Sequence, residues 1–204
     1  MLDQILTGGF LVSLLASTIR LATPIMVPAL GQLYTQRAGI LNLGVEGNML
    51  MGAVAGFAVA YLSGSLWLGL LAGMVIGVLW SAIMAWLSIV MQANQVIAGL
   101  GMNILAGGVA AYISRVIFGV QSLPPSVECF QSIHIPVLSD IPVIGPILFQ
   151  HNLLVYLSFL LVPVTWFILE KTVFGLKIKA VGEHPRAADS KGISVGGIRF
   201  ASVL

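Results

Sequence analysis

The stretch "GILNLGVEGN", Gly39 to Asn48, places Asn42, Glu46 and Asn48 between two strongly apolar runs. Two amides and a carboxylate at such a place have two chemical uses. They can contact a polar solute, or they can hydrogen-bond a backbone that has left the helical pattern. Gly39, Gly44 and Gly47 lie among them, and glycine permits turned or unwound backbone. Irregular backbone at membrane depth survives only where it is buried in protein or lines a cavity, and broken helices of this kind build transporter sites. The ordinary alternative is an inner loop with Glu46 solvated or paired with Arg37. On the broken-helix reading Glu46 is a hydrogen-bond acceptor at the break, since a neutral solute needs no buried charge.

A second polar group lies in "NQVIAGLGMN". Asn94 and Gln95 open an apolar run, and Asn103 follows Gln95 by about 12 Å of helix. Gly99, Asn103 and Gly107 share a face by their spacing. Asn103 is either glue between helices or part of a polar path. Asn42, Glu46, Asn48, Asn94, Gln95 and Asn103 are therefore the candidate substrate-pathway residues. Motifs for other chemistry are missing from the sequence: no H-E-x-x-H, no G-x-S-x-G and no GxxxxGK[ST] phosphate loop. A single cysteine, Cys129, leaves no intrachain disulfide or cysteine metal cluster. The three histidines (His134, His151 and His184) fall in loops. No metal site, directly bound cofactor, nucleic-acid surface or intramembrane enzyme is indicated.

The elements that must carry these residues are membrane helices. Of the residues 58% are hydrophobic and only 8% charged, against about 25% charged in soluble domains; such a surface cannot face water. A crossing needs roughly 20 apolar residues. Phe10–Leu33, Leu66–Met91, Val96–Val120 and Leu153–Leu169 qualify. Met49–Leu62 is short unless it recruits part of the polar stretch before it. The fold class is all-α: a polytopic transmembrane helix bundle with irregular or broken helices. Gly52 and Gly56, and Gly69, Gly73 and Gly77, recur at four-residue spacing and predict close helix packing. Arg20 interrupts the first run, so that span is read as shifted, with Arg20 near the outer headgroups.

Basic residues set the orientation. Six of the nine Lys and Arg lie after Leu169, whereas 121–152 has none and carries Glu128 and Asp140. The segment Lys171–Arg199 is then cytoplasmic and 121–152 external. Counting back, 91–96 is inside, Ser63–Ser65 outside and Tyr34–Asn48 inside. The external loop holds five of the nine prolines, Pro124, Pro125, Pro136, Pro142 and Pro146, which disfavour helix there.

The inner segment 175–199 reads "GLKIKAVGEHPRAADSKGISVGGIR". Pro185 suits the first turn of a helix and Gly192 the position just past its end. Between them "PRAADSK" makes about two turns, too short to cross a membrane. Its apolar face is too small for firm insertion into a lipid surface. A short capped helix carrying small Ala187 and Ala188 among charges is shaped to dock in a partner's groove.

This segment resembles the cytoplasmic coupling loop of ABC-transporter permeases, in the branch that imports simple sugars, nucleosides and branched-chain amino acids. "QRAGILNLGVEGN", "NQVIAGLGMNILAGG" and "IPVIGPILFQHNLLVYL" resemble the nucleoside and simple-sugar subgroup, and the likeness runs from Arg20 to the last residue. The resemblance implies a multi-pass transport subunit of a bacterial plasma (inner) membrane, not an enzyme. ATP would be used by two cytoplasmic ATP-binding subunits. A second permease, the same or a similar chain, and an extracytoplasmic solute-binding protein complete the implied assembly, embedded in lipid. Gly182, Glu183, Pro185, Arg186, Ala187, Ala188, Asp189 and Gly192 would couple to the ATP-binding subunit. Residues 1–204 read as one transmembrane permease domain, the N-terminal part of a longer chain. The alternative is an ATP-independent secondary transporter or channel for a small polar solute, which leaves the short capped helix unexplained.

Overall fold

The computed structural model describes residues 8–119, 126–133 and 144–204. Its elements, in chain order, are α1 (Gly8–Arg37), α2 (Val45–Ser63), α3 (Leu66–Ala85), a π-helical turn (Trp86–Val90), α4 (Gln95–Phe118), α5 (Ile144–Leu148), α6 (Leu153–Lys171), α7 (Val173–Glu183), α8 (Pro185–Ser190) and α9 (Val195–Val203). Among the described residues, five helices are long and apolar enough to cross a membrane: α1, α2, α3 with its π-turn, α4 and α6. The all-α, multi-pass reading therefore holds.

The chain divides into two compact units, residues 1–30 with 130–166, and 31–129 with 167–204. In the first unit, a single antiparallel bridge joins Ser132 to Asn152. His151, 1% exposed, sets its Nε2 2.7 Å from the Ile147 carbonyl and fixes the turn before α6. Of the external prolines, Pro146 lies within α5; Pro124, Pro125, Pro136 and Pro142, like His134 and Asp140, lie outside the described residues.

The second unit is built on the α2–α3 pair. Small residues let these helices meet backbone to backbone. A Cβ at Gly69 would lie 2.6 Å from the Gly56 carbonyl oxygen and 2.7 Å from Ala60 Cβ, and one at Gly73 3.0 Å from the Gly52 oxygen. Gly77, expected on the same seam, faces open space, as does Gly107 on α4; the seam ends one turn short. Against the other face, Met51, Trp80, Met84, Met102 and Ala106 form the apolar core shared by α2, α3 and α4.

Element boundaries depart from the apolar runs for local reasons. The second span begins at Val45, four residues before the apolar run, because the polar stretch supplies its first turn. The third run stops being α-helical at Trp86: Met91 N–H donates to Trp86 O and Ala93 N–H to Leu87 O, and Gln92 closes the turn at φ 50°. The inner basic segment, expected to hold one short helix, holds three. Thr172 caps α7 by accepting from Gly175 N–H (3.2 Å), and Ser194 caps α9 by accepting from Gly197 N–H (3.2 Å). A Lys179–Glu170 ion pair (2.6 Å) spans the α6–α7 corner.

Candidate functional site

The functional geometry centres on residues 38–44, where α1 stops and α2 has not begun. α1 ends in a Schellman motif: Gly39 N–H donates to Gln36 O (3.1 Å), and Ile40 N–H to Thr35 O (2.9 Å). Gly39 takes φ 77°, the left-handed conformation this stop requires and glycine adopts freely. Beyond it the backbone has no ladder of its own, so each polar group needs another partner.

Amide side chains supply those partners. Gln95 Oε1 accepts from Leu41 N–H (2.8 Å). Gln32 Nε2 donates to Asn42 O (2.9 Å). Asn42, 4% exposed, turns its own Oδ1 onto Gly44 N–H (2.9 Å). Asn103 serves both sides of the break, donating through Nδ2 to Leu43 O (2.9 Å) and accepting through Oδ1 from Gly47 N–H (2.8 Å). Asn48 Nδ2 donates to Ser81 Oγ (2.6 Å) and ties the first turn of α2 to α3. Asn94 caps α4, accepting from Val96 and Ile97 N–H. Gly99 provides the space: a Cβ there would lie 2.9 Å from Gly44 N and from Leu43 Cβ.

The structure thus brings Asn42, Asn48, Gln95 and Asn103 together, each with a side-chain polar atom bonded to protein and Asn103 with both. Asn94 sits beside them as a cap. Glu46 is the correction. It is exposed in the first turn of α2 and takes no part in the hydrogen bonds at the break, because the amides already fill the acceptor role expected of it. Gln32 and Ser81 complete the network and were not singled out from sequence, since a lone Gln or Ser in an apolar helix has no distinctive spacing.

The opposite side of the break is gripped by the basic segment. Gly182 of α7 packs directly on the backbone of Arg37 and Ala38, so closely that a Cβ would collide with the Arg37 carbonyl. Gly39 in turn meets Gly182. Arg199 Nε donates to Ala38 O (3.3 Å). Ala38, Leu169 and Ile178 pack with Tyr34 and Ile198; Ile40, Ala85 and Val203 pack with Ile89 and Phe200. The π-turn at the foot of α3 therefore carries Ile89 against α9.

α8 follows α7 at once. Pro185 opens it at its first position. It closes as α1 does: Gly192, φ 77°, donates N–H to Asp189 O (2.8 Å), and Ile193 N–H donates to Ala188 O (3.1 Å). Glu183, Arg186, Ala187, Asp189 and Gly192 are exposed and Pro185 half-buried. Ala188, 4% exposed, faces inward, and Gly182 is occupied by the break. Of the residues proposed for coupling, these two belong to internal packing. Among the described residues no three His, Cys, Asp or Glu side chains come together as a metal-binding group.

Five apolar helices long enough to cross a membrane among the described residues, with the short charged α8 in the segment after the last of them, define a multi-pass membrane protein. The family profile described as branched-chain amino acid transport system / permease component matches residues 14–204, and the chain belongs to that family. It is similar to a guanosine ABC transporter permease protein of Bacillus subtilis, at 39% identity over 92% of this chain and 61% of the relative. It is also similar to a putative glucose ABC transporter permease protein of Haloferax volcanii, at 38% over 96% and 59%, and to a nucleoside ABC transporter permease protein of Lactococcus lactis, at 34% over 94% and 62%. The chain spans about three fifths of the length of these relatives. No solved structure matches it significantly.

Proposed function

We propose that this chain is part of the membrane-spanning subunit of an ATP-driven importer for a nucleoside or simple sugar, in a bacterial inner membrane. The observation that carries the reading is α8: a short helix opened by Pro185 and closed at Gly192, with Glu183, Arg186, Ala187 and Asp189 exposed around it. It is too short to span a membrane and too charged to insert in one, which leaves docking as its use. The names of the relatives, guanosine, nucleoside and glucose permeases of ABC transporters, support the transport class and the polar solute. They also favour it over an ATP-independent transporter or channel.

On this reading ATP is bound and hydrolysed by cytoplasmic subunits that seat α8. A second permease, identical or similar, completes the pathway, and an external binding protein delivers the solute. Closure of the ATP-binding subunits presses on α8 and shifts the bundle between outward- and inward-facing states, whose unequal affinity for the partners drives the change. We assign Asn42, Asn48, Gln95 and Asn103 to holding the break open, not to contacting solute, because each already has protein partners.

Purification of the tagged full-length protein in mild detergent, with its partners identified by mass spectrometry, tests the assembly. An ATP-binding subunit is the expected companion. Reproducible recovery of the active protein alone would overturn the reading. Ala187→Trp, on the exposed face of α8, should then abolish ATP-dependent uptake while leaving the protein in the membrane.

A further inference from the structure

We propose that residues 38–44 are the transmission element that converts displacement of α7–α9 into displacement of α4 and the start of α2. The proposal rests on the reading of α8 as the docking helix and adds the route by which its motion reaches the membrane.

Three features single out this segment. Its contact with α7 is backbone against backbone. Gly182 lies on Arg37 and Ala38 with no side chain between them, so no rotamer can yield and absorb a shift. Its contact with α9 is polar and apolar at once, through the Arg199–Ala38 hydrogen bond and the packing of Ile40 with Val203 and Phe200. Its contact with α4 is a two-sided amide clamp: Asn103 holds Leu43 O and Gly47 N–H together, while Gln95, about two helical turns away, holds Leu41 N–H. A push on α7 does not pass into loose loop, because Leu41 N–H and Leu43 O are tied to α4 and Asn42 O to Gln32 of α1, while Asn42 holds Gly44 N–H within the break. Interfaces of this kind switch between discrete arrangements and do not deform continuously. Arg199, Gly182 and Asn103 are accordingly positioning residues for coupling.

The test uses the full-length protein in its complete complex, reconstituted in liposomes with the binding protein, and reads both ATP hydrolysis and import of radiolabelled guanosine or glucose. Wild type is measured first; lack of any ATP-dependent import or any ATP-binding partner would refute the proposed function itself. Given a working wild type, Arg199→Gln, which is too short to reach Ala38, and Gly182→Ala, which pushes the break away, should each lower solute imported per ATP by at least about fivefold. ATP hydrolysis should persist, and Arg199→Lys, still able to donate to a carbonyl, should recover much of the ratio. A packing defect alone would reduce both activities in parallel. Unchanged import per ATP in both variants would overturn the proposal. Should the variants fail to assemble, hydrogen exchange of 38–48 in wild type decides. Altered protection between nucleotide-free and nucleotide-trapped states supports transmission, and identical protection refutes it.

Discussion

Asn103 carries more of the break than any other side chain, and its two bonds differ in kind from solute contacts. Asn103→Leu would leave Gly47 N–H, in a buried position, without its partner, at about 1–3 kcal/mol, and would release the exposed Leu43 O at a smaller cost. A clear drop in thermal stability in detergent should follow, read by tryptophan fluorescence or a thiol-independent dye. Glu46 gives the contrasting case. Exposed in the first turn of α2, it interacts with the helix N-terminus and little else, so Glu46→Gln should cost only about 0.3–1 kcal/mol and leave assembly intact. A loss as large as that of Asn103→Leu would show that Glu46 has a partner in the full assembly. Sequence identified the amides, placing Asn42 and Asn48 at a break and Gln95 and Asn103 in a separate span. It could not divide the roles, because Asn, Gln and Glu in one polar stretch are interchangeable acceptors until the backbone path decides which oxygen arrives.

At the scale of elements, the glycine seam between α2 and α3 makes a paired prediction. Gly69→Ala inserts a methyl group against the Gly56 carbonyl and Ala60 and should separate the helices, lowering the melting temperature. Gly77→Ala, one repeat along on open surface, should be neutral or stabilising, since alanine is the better helix former by about 1 kcal/mol. Equal effects would mean that the seam does not set the helix spacing. Thr172→Ala removes the α7 cap and should cost about 0.5–2 kcal/mol, seen as faster hydrogen exchange in 173–176 with the transmembrane helices unchanged. The four-residue repeat made this seam legible in sequence, though not its end, because spacing alone cannot say where a neighbour stops. The α7 and α9 helices left a weaker trace. Thr172 and Ser194 are ordinary caps, but the helices they open are short and lie in a basic segment whose composition reads as loop. The π-turn at Trp86–Val90 had no sequence signal at all; an extra residue per turn shows only in the hydrogen bonds.

At the scale of the whole molecule, the charge rule and the packing of the second unit agree on which loops share an end. The break, the α3–α4 turn and the basic segment meet one another through Gln95, Gly182 and the Ile40–Ala85–Val203 cluster. At the other end, the turn after α2 meets Ser126, Val127 and Glu128, and Phe57 and Tyr61 both stack edge-on against Phe118. Cys129 is exposed beside that second group. A membrane-impermeant maleimide added to intact cells should therefore label Cys129 and should miss Ala187→Cys in a Cys129→Ser background until the membrane is opened. The reverse pattern would invert the orientation.

The meeting of Gly39 and Gly182 also bears on how such a chain can change over generations. On the proposed transport role, a joint made of bare backbone is blind to side-chain chemistry, so residues facing the solute are free to drift toward a new cargo without retuning it. The same joint resists tinkering. A carbon added at Gly182 strikes the Arg37 carbonyl, and at Gly39 it meets a backbone only glycine tolerates well, so a change at either residue alone strains the joint. Specificity and drive are thereby inherited as separable parts, one open to trial and error and the other nearly closed to it.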